Sequence, residues 1–534
     1  MKSNSEDTQH TTDSSENVEN PMQMLEDALV ICKFGRFNIQ LMITTLLSVL
    51  ATTSVTTATS YVLPSAECDL NMTMMQKGLL NAIPFLGQFC ACPFTGFITD
   101  AFGRKIFLVG GNFGLFVCAL FGASSQTYGM LLFAKLLEGV VMSLVFTATA
   151  TMVTEFTHKL VRDKVLVGYA AFMSISIIIT SLIAWAILPM ALQFVVIEGY
   201  IEIHSWNIYL CVSAGWGLLA AIMYWNLPES PKFLLSHGQE KEALQVLQRI
   251  YHVNTGKDED TFTIKSLNVS GVLKPTKEVS VSKQITNALF ETKELFRAPL
   301  LCKLILFSTI TFVALLAYSA LRLWYPQLST IIENHQKEHN GQTYRFCDMI
   351  DSYTSAHNTQ NNMISSDNIT TPPGDCVPQL AGAQTYTNGI ILGFVSLVCI
   401  SISGYLVDFF GQKPLMFGFL LLCAVCSSVL YWTNSSIQIA ILISATCGFM
   451  QTAFSLQHNI LVRVFPTTVR TMALSIVIMV GRAGSLLGNL LFPLMMAIGC
   501  MVPFLTLSTV TLCVAGLIYF LPNPQKENSA TGDK

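Results

Sequence analysis

Charge is scarce in this chain. Of its 534 residues only 12% are Asp, Glu, Lys or Arg, where a soluble protein carries about a quarter. With 52% hydrophobic residues and a mean hydropathy of +0.52, that scarcity excludes a soluble globular protein and predicts a polytopic membrane protein. The net charge is −3 and no basic cluster occurs, so nothing invites nucleic acid. None of the 15 cysteines forms a CxxC pair in a polar loop. Most, such as Cys399, Cys423, Cys426, Cys447 and Cys513, lie in apolar runs and act as small hydrophobes. Zinc and redox chemistry are therefore not indicated. Motifs for hydrolysis, phosphoryl transfer and nucleotide binding are also missing, so we expect neither an enzyme nor a cofactor or metal.

What is present is apolar sequence in long runs. Residues 1–36 are polar and lack a charged start followed by an apolar core, which predicts a disordered cytosolic tail and not a signal peptide. Twelve runs of roughly 20 residues follow, each long enough to cross a bilayer. They fall near 39–62, 78–99, 106–125, 128–153, 165–190 and 206–227, then 301–326, 386–406, 413–432, 437–460, 472–494 and 500–521. This predicts an all-α protein of two six-helix bundles, 37–227 and 301–521, joined by a cytosolic middle loop, 228–300. A short tail, 522–534, closes the chain. Arg104, Lys105, Lys159, Arg162, Lys164, Lys413, Arg463 and Arg470 all fall in short loops on one side, which places both termini in the cytosol. Within the middle loop, Glu240–Val253 has apolar residues at helical spacing and reads as an amphipathic helix packed under the bundle.

Two motifs recur in one register. GFITDAFGRK begins at Gly96 and GYLVDFFGQK at Gly404, 308 residues later. EFTHKLVR begins at Glu155 and RVFPTTVR at Arg463, again 308 apart. Shared register argues for duplication of a whole bundle. Gly96 allows close helix approach, Asp100 ends its helix, Gly103 permits the turn, and Arg104 and Lys105 hold the loop at the cytosolic face. The second copy offers Gly404, Asp408, Gly411 and Lys413. Together with Glu155, Arg162 and Arg470 these residues form a candidate cytoplasmic gate. The repeated G-x-x-x-D-x-x-G-x-K pattern resembles the signature loop of the major facilitator superfamily.

Further stretches narrow the resemblance. GRF at Gly35, YVLPSAE at Tyr61, AWAILP at Ala184, HSW at His204 and PESPKFLLSHGQ at Pro228 resemble the synaptic vesicle glycoprotein 2-like and organic-ion transporter-like branch. So does the long polar loop 327–385 between spans 7 and 8. The resemblance implies a rocking carrier fold. Against it stand several departures. The first-span acidic pair of the family, in a stretch like MADGVE, is replaced by LATTSV, with Thr52 and Val55 at the acidic positions. Phe454 and His458 stand where the family has Trp and an acid, Arg463 and Arg470 replace a Glu-to-Arg pair, and Pro522-Asn523-Pro524 replaces Pro-Glu-Thr.

Charges inside apolar runs mark function or structural pairing. Lys135 and Glu138 share one helix face, either as a mutual pair or as substrate groups. Arg482, with no acid on its own helix, is expected to face a wet cavity or a buried partner. Arg322 is read either as a lumenal snorkel or as a cavity group, and His458 as packing or cavity-lining. Trp185 is either an interface anchor or part of the site, through its matched motif, and Phe454 completes the candidate set. In the lumenal loop the only two cysteines, Cys347 and Cys376, suggest a disulfide, and the sequon at Asn368 suggests a glycan. Two functions stay open. One is a secondary transporter of a small organic solute, anionic or neutral, in the plasma membrane or a secretory-type vesicle. The other is a non-transporting glycoprotein whose tail or lumenal loop binds protein partners.

Overall fold

Lipid offers no partner to a backbone N–H or C=O, so apolar runs of this length close their hydrogen bonds internally, as helices. The computed structural model describes residues 21–197, 201–267, 295–339, 344–355, 380–466 and 469–521. Within them stand twelve long helices. Spans 1 to 6 are Arg36–Ser65, Met74–Phe102, Arg104–Ala123, Tyr128–Glu155, Arg162–Ile187 and Ser205–Trp225. Spans 7 to 12 are Leu300–Glu338, Ala383–Phe410, Gln412–Val429, Ser436–Val464, Arg470–Ile498 and Met501–Ile518. Eleven are long and apolar enough to cross a membrane. Span 2 has 29 residues, ample for the crossing, and carries Lys77, Asn81 and Gln88, all buried. The chain is an all-α, multi-pass integral membrane protein.

The repeat is visible in the helix bounds. Spans 4 and 10 open at Tyr128 and Ser436, and spans 5 and 11 at Arg162 and Arg470. Gly103 and Gly411 fill the turns between spans 2 and 3 and between spans 8 and 9, with φ of 96° and 78°. All three pairs keep the 308-residue register. We call the end with these turns the motif end and the other the far end. The halves meet where span 2 packs on span 11 and span 5 on span 8. Asn81 donates to the Leu323 carbonyl at 3.4 Å, and Gln451 to Ser174 Oγ at 3.5 Å, across that boundary.

Several expectations need correction. The tail is not disordered throughout: Pro21–Cys32 is a helix. Its Leu25, Ala28, Leu29 and Cys32 recur at helical spacing and are buried against the middle-loop helices Pro231–Ser236 and Glu240–Thr255. The second of these is the expected amphipathic helix. Its Asn254 accepts from the Phe37 N–H at 2.9 Å and donates to the Cys32 and Lys33 carbonyls. Span 7 does not stop near 326 but runs through Pro326 to Glu338, because Leu328, Ile331 and Ile332 are buried in the far-end core. A short helix over 346–355 inserts Phe346, Met349 and Ile350 into the same core. An unanticipated hairpin, Gln193–Ile197 paired antiparallel with Ile201–His204, links spans 5 and 6.

The disulfide is also different. Cys347 bonds Cys500 at the turn between spans 11 and 12, and not Cys376. Span 12 starts at Met501, which leaves Cys500 in the turn, buried in the far-end core, where its N–H donates to Asp351 Oδ1 at 2.8 Å. Cys68 is disulfide-bonded as well. Cys376, Asn368 and Pro522-Asn523-Pro524 lie outside the described residues. Non-reducing peptide mapping is expected to recover a Cys347–Cys500 peptide. Because that bridge closes a separation of 153 residues, Cys500→Ser is expected to cost about 2–4 kcal/mol of stability, read as a lower Tm. A free Cys500 thiol in the wild type would reject the pairing.

Candidate functional site

The first motif loop is built around one carboxylate. Glu229, from the PESPKFLLSHGQ stretch, accepts the Arg104 N–H at 3.1 Å and the Lys105 N–H at 3.0 Å. It therefore caps the exposed N-terminus of span 3, where helix N–H groups lack partners. A Cβ on Gly103 would lie 2.6 Å from Glu229 Oε2, so the turn needs glycine for space as well as for its positive φ. The Arg104 side chain pairs with Glu155 at 3.0 Å and lies over the Phe233 ring at 5.2 Å. Arg162 turns elsewhere, to Glu26 of the N-terminal helix at 2.7 Å and to the Thr157 carbonyl. Lys159 pairs with Asp27 at 3.5 Å. His158 is buried beside them. Burial, and then the Arg162 charge, push its pKa below the ordinary value, so it is neutral at neutral pH.

The second loop keeps the backbone and loses the charges. Arg470 Nε donates to the Phe465 carbonyl at 3.3 Å, as Arg162 Nε does to Thr157 at 3.2 Å, in the same register. Gln412 stands at the place of Arg104, and Arg463, exposed, at that of Glu155, so no ion pair forms there among the described residues. Asp408 is exposed. Lys413 donates to the carbonyls of Tyr519 and Leu521, at 2.8 and 2.7 Å, and neutralises the C-terminal end of span 12. Gly96 and Gly404 face Ser475 and Val167 of the opposite half. The side chain of Asp100 lies outside the described residues.

Between the halves lies a polar site. Span 1 presents buried Thr52, Thr53, Ser54, Thr56 and Thr57. Arg322, on span 7, donates to Thr57 Oγ1 at 3.0 Å and to Thr56 Oγ1 at 3.2 Å, while its Nε is buried without a partner among the described residues. The Tyr318 ring lies 5.6 Å from the guanidinium. Arg322 therefore points inward, and the snorkelling alternative falls. Thr57, Ser60 and Tyr61 from the first half, with Arg322, Tyr325 and Gly389 from the second, wall a cavity of about 20 Å³. That volume holds a water molecule, not a solute. Tyr61 bonds Ser181 Oγ at 2.8 Å and stacks on Tyr386, ring centroids 5.9 Å apart. These tyrosines, with Gln451 and Ser174, were not singled out from the sequence. Tyr61 opens a matched motif, and that was the available signal.

The other candidates divide. Arg482 lies over the Phe146 ring at 5.4 Å, within electrostatic reach of Arg322, and makes no hydrogen bond or ion pair among the described residues. Phe454 and His458 lie together, ring centroids 6.5 Å apart, and among the described residues neither makes a polar contact to Arg322 or Arg482. Lys135 and Glu138 pair at 2.8 Å inside the first half, off the inter-half site. Trp185 is 42% exposed beside exposed Leu182 and is not brought to the site.

With this geometry in place, the chain can be set beside known proteins. A family model described as "Sugar (and other) transporter" matches residues 28–320, and one described as "Major Facilitator Superfamily" matches 379–534. Synaptic vesicle glycoprotein 2B of Rattus norvegicus is 25% identical over 325 residues, 57% of this chain and 47% of that protein. Synaptic vesicle glycoprotein 2A of Pongo abelii is 30% identical over 246 residues, 45% of this chain and 33% of that protein. The chain thus spans about half the length, or less, of the curated relatives it matches. The partially occluded inward open xylose transporter XylE from E. coli superposes with a TM-score of 0.61 at 13% identity, over 91% of this chain and 100% of that one. That likeness concerns the fold.

The Glu229 cap is testable. Glu229→Ala removes the acceptor of two span-3 N–H groups and is expected to lower stability by about 1–2 kcal/mol, seen as a reduced Tm in detergent. An unchanged Tm would show that water serves the helix end equally well.

Proposed function

We propose that this chain, which belongs to the sugar (and other) transporter family of the major facilitator superfamily, is a secondary carrier for a small polar organic solute, anionic or neutral. The solute passes between the halves by alternating access, with the motif end facing the cytosol, as the Lys and Arg placement argues. The observation that carries this reading is Arg322. It lies in the cavity between the halves and meets threonine hydroxyls of span 1 where a carboxylate would pair with it. Two N–H donors held side by side by neutral hydroxyls suit displacement by a carboxylate, which accepts both and brings charge. At 4 Å and an effective dielectric near 20 that attraction is about 4 kcal/mol before desolvation. Arg482, on span 11 of the same half and without an ion pair among the described residues, adds a second positive charge within electrostatic reach of Arg322. Together they disfavour organic cations.

The alternative, a glycoprotein that binds partners and does not transport, draws on the second motif loop. An exposed Asp408 and an exposed Arg463 leave that half without the ion pair that Arg104 and Glu155 supply in the first.

Uptake into proteoliposomes separates the readings, with glucuronate as a hydroxylated anion that does not cross lipid unaided. Saturable uptake is expected in the wild type. Arg322→Gln is expected to weaken it roughly 10- to 100-fold, and Arg482→Gln to weaken it less, with membrane insertion unchanged in both. Saturable uptake of an organic cation that survives both substitutions and fails in Glu138→Gln would reject the anion preference. Absence of uptake for every solute screened, with no solute raising Tm, would favour the partner-binding alternative.

A further inference from the structure

On the side of span 1 away from the inter-half site, a second cavity is lined by the first half alone. Ser54, Val55, Leu115 and Ser213 wall it, with Lys135 and Glu138 of span 4. At about 20 Å³ it admits a water molecule and no solute. Glu138 is 1% exposed. Its Oε2 accepts from Lys135 Nζ at 2.8 Å, whereas its Oε1 is buried with no hydrogen-bond partner among the described residues. A buried carboxylate oxygen without a donor is costly, and a proton or a water in the cavity removes that cost.

The surroundings leave few other places for a proton. Besides Lys135, the titratable group facing Glu138 among the described residues is Cys118 on span 3. Spans 1 and 6 face the cavity with Ser54, Ser213 and apolar side chains. Ser54 Oγ lies 3.5 Å from Thr180 Oγ1. Two and three residues beyond Ser54 on the same helix, Thr56 and Thr57 hold Arg322. A single helix therefore stands between the carboxylate and the guanidinium.

We propose that Glu138 is a proton site, insulated from the solute path by span 1, that loads one proton for each anion bound at Arg322. With Glu138 ionised, its pair with Lys135 is neutral. A proton moving from water onto Oε1 leaves the Lys135 charge uncompensated in a low-dielectric interior, and a monoanion arriving at Arg322 offsets it. Release to water on the other side reverses the O–H bond formation, and no other bond changes. The coupling rests on the carrier reading above, whereas the proton site does not.

Infrared difference spectra of the full chain in lipid, between alkaline and acid pH, test the site without any solute. The wild type is expected to show a protonated-carboxylic-acid band that Glu138→Gln loses and Arg322→Gln keeps. Glu138→Asp, which retains a carboxylic acid, is expected to restore it. An identical band in wild type and Glu138→Gln, or its absence from the wild type, overturns the assignment. Proteoliposomes containing a trapped pH dye test the coupling with glucuronate. Wild-type uptake is expected to acidify the lumen. Glu138→Gln is expected to lose proton-driven accumulation by roughly tenfold or more while glucuronate counterflow persists. Uptake without proton movement overturns the coupling and leaves the Arg322 reading intact. Absence of glucuronate uptake from both proteins counts against the carrier reading alone, since the infrared bands decide the proton site.

Discussion

A charge inside the bilayer must find a partner, and lipid provides none. Most of the polar architecture of this molecule follows from that constraint. Lys135 meets Glu138 deep in the first half, and Lys77, in the first turn of span 2, meets Glu67 of the adjoining loop. Threonine and serine hydroxyls on spans 1, 4 and 5 return hydrogen bonds to the carbonyl one turn back, as Thr59, Thr149 and Thr180 do. Among the described residues two intramembrane charged side chains break the pattern. Among the described residues Arg322 hydrogen-bonds to hydroxyls and makes no ion pair, and Arg482 rests on an aromatic ring. Both belong to the second half, and both are turned toward the first.

The duplicated bundle keeps its backbone more faithfully than its charges. The two glycine turns and the two arginine-to-carbonyl bonds, Arg162 to Thr157 and Arg470 to Phe465, hold one register across the halves. Turn geometry and helix-end satisfaction are requirements of folding, so each copy must meet them separately. The Arg104–Glu155 pair has no such obligation in the second copy, where Gln412 and Arg463 stand instead. The first half is further clasped at the motif end by the Pro21–Cys32 helix, through Glu26 to Arg162 and Leu25 to the middle-loop helices. The charge asymmetry between the loops therefore reflects different surroundings on a common backbone.

Much of the fold was legible because its signal is local. A run of about 20 apolar residues is a helix whatever it packs against, and lysines in short loops bias its direction. The helix Glu240–Thr255 could be read for the same reason, as its apolar spacing lies within sixteen residues. The misses were of two kinds. Helix ends that depend on packing were misplaced, as with span 7, which continues through Pro326 because Leu328, Ile331 and Ile332 are buried. Pairings distant in sequence were unreadable. The polar loop offered two cysteines as a natural couple, yet Cys347 bonds Cys500, 153 residues away.

The candidate site divides along the same line. Sequence alone determined that the chain carries few intramembrane charges, that Lys135 and Glu138 share a helix face, and that span 1 bears a run of hydroxyls without a charge. Each of these is a property of composition and of the 3.6-residue turn. The tertiary structure decided that Arg322 reaches Thr56 and Thr57, that Glu138 faces a separate cavity, and that Trp185 stands outside both. Which side of a helix meets which neighbour depends on helix rotation and on packing between segments more than 200 residues apart, and a uniformly apolar span carries almost no hydrophobic asymmetry to set that rotation.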